Sequence, residues 1–275
     1  MEYTKPKVTL LQQSGIGVAE YAGRTAYDSF DKSENECVRG KDLLGLNDLE
    51  SSELLDQLAW VHHHHSVLEH VTLSYLVEGV GRGVLQEHAR HRIQSITVRS
   101  TRYTMHDVLA AFLSVRNWEQ HHTQVGGKWE FNLLLKKLEM FVIRDTGRLQ
   151  IETDYIYHAL NYQLDLVGED NFLISALSKE GRSIYKKNPQ YSPEAMFGAL
   201  RNAKKKRNAG DQFKHIVTDN WKVNMVVTFN IRSLKNYFDL RDSGAAWFQI
   251  QWLAQEMKRV TPEKYLRLID KAHRP

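Results

Sequence analysis

Apolar and polar residues alternate in several short stretches of this chain and recur at helical spacing in several longer ones. Val8, Leu10 and Leu11 open a short first strand. Val71, Leu73, Tyr75 and Val77 alternate with Thr72, Ser74 and Leu76, a period of two that predicts a strand. Met225-Val226-Val227-Thr228-Phe229 reads as another. Leu54, Leu55, Leu58 and Ala59 share one helical face, and a short helix is expected from Val84 to Arg92. Phe131, Leu134, Leu135, Leu138 and Phe141 form a stripe at helical spacing, and Tyr155, Ala159 and Tyr162 continue that theme on another helix. Ser192-Pro193 offers a hydroxyl cap followed by proline at the first helical position, ahead of Met196, Ala199, Leu200 and Ala203. Helices from Leu234 to Leu240 and from Ala246 to about Met257 complete the pattern. The sum is a helix-rich α+β protein read as one domain, with 105–150 the stretch the pattern defines least.

Composition narrows the class without naming a chemistry. The chain has 275 residues and a mass of 32.0 kDa, with 42% apolar and 25% charged residues, as in ordinary globular proteins. No run approaches the roughly 18 apolar residues of a membrane span, and Met1-Glu2-Tyr3-Thr4-Lys5-Pro6-Lys7 lacks the apolar core of a signal peptide. The single cysteine, Cys37, excludes an internal disulfide, so a cytoplasmic location is expected. Five prolines and the lack of a Gly/Ser-rich stretch argue against a flexible linker. A net charge of +4 and a pI of about 9.0 suit nucleic acid, nucleotides or a phosphorylated cofactor alike, so position matters more than total.

Most candidate constellations have a plain reading. Gly79-Val80-Gly81-Arg82-Gly83 follows a strand, but Val84 stands where a dinucleotide fingerprint needs its third glycine. No acidic residue about 20 positions on would hold a ribose, so a bend allowing close backbone approach is the better reading. His62 to His65, with Glu69, His70, His88 and His91 nearby, are metal-ligand types at no metal-site spacing. No metal is expected; a solvated helix end and a polar lining for an anionic ligand both remain open. Arg201 with Lys204-Lys205-Lys206-Arg207 reads as a solvated helix end rather than a nucleic-acid groove, since no aromatics interleave with it. Cys37 lies among Asp31, Glu34 and Glu36, neighbours that disfavour a reactive thiolate.

The segment Arg90-His91-Arg92-Ile93-Gln94-Ser95-Ile96-Thr97-Val98-Arg99-Ser100-Thr101-Arg102-Tyr103 is different in kind. Four arginines, a histidine and several hydroxyls stand together without one carboxylate. Guanidinium forks match phosphate oxygens bidentately, and hydroxyls complete an anion's coordination.

Arg-His-Arg, seven residues and then Ser100, extended by Arg102-Tyr103, resembles the signature of the flavin-dependent thymidylate synthases. His64-His65-Ser66-Val67-Leu68-Glu69-His70 is similar to that family's His-x-Ser/Thr-x-x-Glu-His element. Thr228 to Arg241 resembles its closing Asn-x-Arg…Arg element. The similarity covers roughly residues 8–30, 60–104 and 210–258, and the middle segment of about 105–200 is longer than is usual in the family.

The resemblance implies a helix-rich α+β single domain over 1–275 with a central, mostly antiparallel sheet. It implies reductive methylation of dUMP to dTMP, with methylenetetrahydrofolate as carbon donor, NADPH as electron source and bound FAD as hydride carrier. It also implies a homotetramer with interfacial active sites. Carried over by position, His64, Ser66, Glu69, Arg90, His91, Arg92, Asn230, Arg232 and Asn236 would contact the flavin. Glu87, Arg90, Ser100, Thr101, Arg102 and Lys214 would hold the nucleotide. Arg241 would face the uracil edge as the catalytic group, stabilising an N3 anion that makes C5 nucleophilic. The chain departs from the family at Thr97, at Val98, which forfeits a polar contact, and at Lys214, which keeps an arginine's charge but not its fork. Hydroxymethylation of a pyrimidine nucleotide is the alternative enzyme reading. A basic nucleic-acid-binding protein is the alternative from another class.

Overall fold

The alternating and helical stretches become strands and helices in a computed structural model that describes residues 5–101, 105–121, 128–147, 150–169 and 213–275, with Asn171 and Asp211. From the N-terminus come β1 (Lys7–Gln13), α1 (Gly17–Ala26), α2 (Glu36–Arg39), α3 (Glu53–Trp60) and β2 (Thr72–Gly81). Next are α4 (Arg82–Ala89), β3 (Gln94–Val98), α5 (His106–His121), α6 (Lys128–Thr146) and α7 (Gln150–Val167). The last described elements are β4 (Lys222–Asn230), α8 (Ile231–Arg241), α9 (Phe248–Val260) and α10 (Glu263–Ile269). The helix expected after Ser192-Pro193, the basic run at 204–207, and Arg102 and Tyr103 lie outside the described residues. The chain forms two compact units, Met1–Val98 with Asn224–Pro275, and Arg99–Val223.

The first unit is built on a four-stranded antiparallel sheet in the order β1-β2-β4-β3. Tyr75 stands opposite Leu10 and Val77 opposite Val8, so the period-two pattern of both strands points into one core. A bulge between Leu10 and Gln12 leaves Leu11 outside the pairing and exposed, which accommodates two adjacent leucines in one strand. Leu73, Tyr75, Val77, Met225, Val227 and Phe229 are buried on the core face, each worth roughly 1.5–3 kcal/mol for the aliphatic side chains. α9 packs on β1, and the Tyr75 hydroxyl meets Thr261 Oγ1 at 2.8 Å, giving its polar tip a buried partner. α3 starts where the Ser52 hydroxyl accepts from the Leu55 N–H.

Helix α1 and strand β3 are not legible in the hydrophobic pattern. Gly17 opens α1 against the backbone of Leu46, where any Cβ would lie 2.5 Å from the Leu46 carbonyl oxygen, so the packing depends on a residue without an apolar side chain. Among the described residues β3 is an edge strand, with three polar residues among its five, pairing Ile96 with Val227 and Val98 with Met225.

In the second unit, α5, α6 and α7 pack around Val108, Leu109, Phe112, Leu138, Val142, Ile156, Leu160 and Leu164, with Phe213 and Trp221 in the same cluster. The stripe expected on α7 is corrected here. Tyr155 and Tyr162 are 54% and 67% exposed, and the buried face is Ile156, Leu160 and Leu164. Both stripes have helical spacing, so period alone could not choose between them. α6 ends where Gly147, at φ +71°, donates its N–H to the Ile143 carbonyl at 2.7 Å.

Candidate active site

β4 passes directly into α8, and that junction fixes the site. The Asn230 side-chain oxygen accepts from the Ser233 N–H at 2.8 Å and caps the helix. Ile231, Leu234, Tyr237 and Phe238 face the core, while Arg232, Asn236 and Asp239 face outward. With His65, His91, Arg92, Ile93, Ser233 and Lys235 they line a cleft of about 420 Å³. Three cationic side chains, Arg92, Arg232 and Lys235, stand against one carboxylate, Asp239, among those lining residues. Such an excess suits an anionic ligand.

At the far end of α8, Arg241 is held from three directions. Its Nη1 lies 2.8 Å from Glu87 Oε2, its Nη2 donates to the Glu87 carbonyl at 3.2 Å, and its Nε donates to His91 Nε2 at 2.8 Å. The other oxygen of Glu87 faces Arg90 at 3.6 Å, and Arg90 is 74% exposed. A guanidinium only donates, so His91 Nε2 must carry a lone pair and the ring must be neutral. Burial, and then the charge of Arg241, push the His91 pKa down to about 4, which keeps it so.

Tyr237 sits between His91 and His88, with ring centroids 4.7 and 5.1 Å away, and its hydroxyl is 3.1 Å from His88 Nδ1. Burial lowers the His88 pKa to about 3 and raises that of Tyr237. The tyrosine therefore stays protonated and shares a hydrogen bond with a neutral His88. Glu69 pairs with Arg232 on the cleft rim.

The chain as a whole is similar to known proteins. A family model described as thymidylate synthase complementing protein matches residues 9–265. The chain belongs to that family. Among its relatives, the flavin-dependent thymidylate synthase of Wolinella succinogenes is 25% identical over 258 residues, covering 94% of each chain. The flavin-dependent thymidylate synthase of Campylobacter jejuni is 27% identical over 259 residues, 94% of this chain and 93% of that one. Thymidylate synthase X from Helicobacter pylori, solved with FAD and dUMP, superposes with a TM-score of 0.55 at 20% identity, covering 98% of this chain and all of that one. That likeness shows the shared fold. The chain is thus an enzyme of the flavin-dependent thymidylate synthase family, with the helix-rich fold and antiparallel sheet expected of it.

The residues proposed from the family signature do not all converge. Arg92, Arg232, Asn236 and His91 line the cleft, and Glu87, Arg90 and Arg241 form the cluster joined to it through His91. His64 and Ser66 are exposed and do not line the cleft; His65 does, fixed by a bond from its Nε2 to the Ala59 carbonyl at 3.0 Å. Burial lowers the His65 pKa, so the ring is neutral and donates that proton. The Asn230 carboxamide oxygen is committed to the cap. Ser100, Thr101 and Lys214 belong to the second unit. Thr101 is buried there and its carbonyl accepts from the Met105 N–H, while Lys214 is exposed in the short turn Lys214–Ile216.

Lys235 and Asp239 line the cleft as well, although the signature does not mark them. They share one helical face with Arg232 and Asn236, at spacings of three and four that the sequence already displays. Lys235 Nζ lies 3.1 Å from the centre of the Trp60 ring, and burial lowers its pKa to about 8, opposed by Asp239.

Proposed function

We propose that this enzyme converts dUMP to dTMP by reductive methylation, with FAD held in the first unit's cleft. The observation that carries the reading is Arg241, a charged guanidinium fixed by Glu87 and neutral His91 beside a cationic cleft. The donor set fits the flavin cofactor: Arg92 and Arg232 suit its pyrophosphate, and His91 and Asn236 offer neutral hydrogen bonds. When bound, FAD supplies hydride chemistry. Protein groups do the rest. Arg241 would stabilise the N3 anion of the uracil, raising electron density at C5 without giving up a proton. Glu87 and His91 hold it in one orientation, and Ser100, the backbone at Thr101, Arg102 and Lys214 would receive the nucleotide phosphate. In the proposed reaction a bond forms from C5 to the methylene carbon of methylenetetrahydrofolate, and that carbon's two bonds to folate nitrogens break so that tetrahydrofolate leaves. The C5–H proton goes to solvent, and a hydride equivalent completes the methyl group. NADPH supplies the electrons.

The family model runs through both compact units, which supports reading them as one enzymatic domain with a long middle segment. A homotetramer in the cytoplasm completes the reading. Trp129, Leu133, Met140 and Ile143 on α6, with Tyr155, Tyr162 and Leu166 on α7, leave exposed apolar stripes of the kind subunit contacts cover. The Helicobacter pylori structures, solved with FAD and dUMP, support the ligand assignment by kinship.

Tritium release from C5-labelled dUMP, with product identification, tests this directly. Release that needs both methylenetetrahydrofolate and NADPH, with dTMP as product, is expected. No release under any combination contradicts the proposal, and a hydroxymethylated product would redirect it.

A further inference from the structure

The end of α6 is tied to both flanks of the segment that carries Ser100 and Thr101. Arg144 grips its neighbour Asp145 through Nε to Oδ1 at 3.1 Å and Nη2 to Oδ2 at 2.9 Å. Asp145 reaches Arg99, the residue before Ser100, with its Oδ1 3.8 Å from the Arg99 Nη2. Arg144 also donates through Nη1 to Asp107, in the first turn of α5. Between those anchor points Thr101 and Met105 are buried and joined by a bond from the Met105 N–H to the Thr101 carbonyl at 3.2 Å.

Asp145 is an unusual residue to find there. Its side chain is only 2% exposed, and it lies in the last turn of a helix, where the dipole disfavours a carboxylate. A buried charge in that place is tolerated only when paired, and among the described residues its partners are the two arginines. Helix α6 stops immediately afterwards at Gly147, so Arg144 and Asp145 form a fixed terminus rather than a point along a longer surface.

We propose that Arg144 and Asp145 are positioning residues for the nucleotide, a clamp that fixes the backbone of Ser100–Thr101 for the dUMP phosphate. This rests on the dUMP reading above and gives the middle segment a task in the reaction. The clamp touches no reacting atom; it acts through Arg99 on one side and Asp107 on the other.

The test uses the full-length enzyme with FAD, measuring tritium release against dUMP and against methylenetetrahydrofolate for the wild type, Asp145→Asn and Asp145→Glu. Asp145→Asn should raise the KM for dUMP roughly tenfold while leaving kcat, the folate KM and bound flavin within about twofold. Asp145→Glu should recover part of that loss. Should Asp145→Asn fail to fold, Asp107→Asn and Arg99→Lys, altered at more exposed partners, should each raise the same KM by a smaller factor. An unchanged dUMP KM in the folded variants overturns the clamp, as does a fall in kcat with KM constant. A wild type that releases no tritium overturns the dUMP reading and the clamp with it, an outcome distinct from an active wild type with indifferent variants.

Discussion

Two arginines stand in the last turns of two helices, Arg241 on α8 in the first unit and Arg144 on α6 in the second, and they are neutralised differently. Arg144 and Arg99 face two carboxylates, Asp145 and Asp107, so their charges balance. Arg241 and Arg90 share one carboxylate, Glu87, and the remaining partner of Arg241 is the lone pair of neutral His91. Among the described residues, one positive charge is left over in the first cluster and none in the second. A balanced cluster holds backbone in place; an unbalanced one beside a cleft can meet an anion that forms during reaction.

The sharpest way to break that contrast is to remove Arg241. Arg241→Ala should lower turnover by about a thousandfold with FAD retained, the scale seen when one preorganised donor to a developing anion is lost. Turnover within threefold of wild type would show that the unbalanced charge is not used. A smaller effect is expected at the rim. Glu69→Gln releases Arg232, a pair exposed on both sides, and should change FAD affinity by about tenfold or less, shrinking further at high salt. Fluorescence titration of the apoprotein with FAD at two ionic strengths measures it.

The smallest effect concerns acid. His88 and His91 hold pKa values of about 3 and about 4 through burial, well below the ordinary 6.5. Between pH 6.5 and 4 the unfolded chain takes up protons that the folded one resists, so stability must fall as pH falls through that window. The thermal midpoint should drop by roughly 5 °C from pH 7 to pH 5. His88→Leu should flatten that slope, whatever it does to the plateau. A slope identical to wild type would remove His88 from the account.

The two units also differ in how much of each could be read from sequence. In the first, β1, β2, β4, α3, α4, α8 and α9 follow from alternation or helical spacing, because each has one face in a core and one outside. α1 escapes because Gly17 packs by lacking a side chain, and β3 because an edge strand can be mostly polar. In the second unit the helices α6 and α7 are legible, but the orientation of α7 is not. Tyr155 and Tyr162 fit a buried stripe as well as Ile156 and Leu160 do, and only packing against Leu138 and Phe112 decides. The site divides along the same line. Arg232, Asn236 and Arg241 are marked by the closing element, whereas the task of Asp145 depends on meeting Arg99, 46 positions earlier in sequence, which no local pattern announces. His64 and His65 show the limit of a signature read residue by residue, since the turn that starts at His65 sends it, not His64, into the cleft.

The central claim is that the cleft between α8 and the Arg-His-Arg stretch is the flavin site of this enzyme. The most direct measurement is the flavin content of purified protein, read by absorbance and released cofactor, for the wild type and for Arg92→Ala combined with Asn236→Ala. One FAD per chain in the wild type and a mostly colourless, folded double variant are expected. A wild type that neither carries nor takes up FAD, or a double variant that binds it with unchanged affinity, would contradict the account.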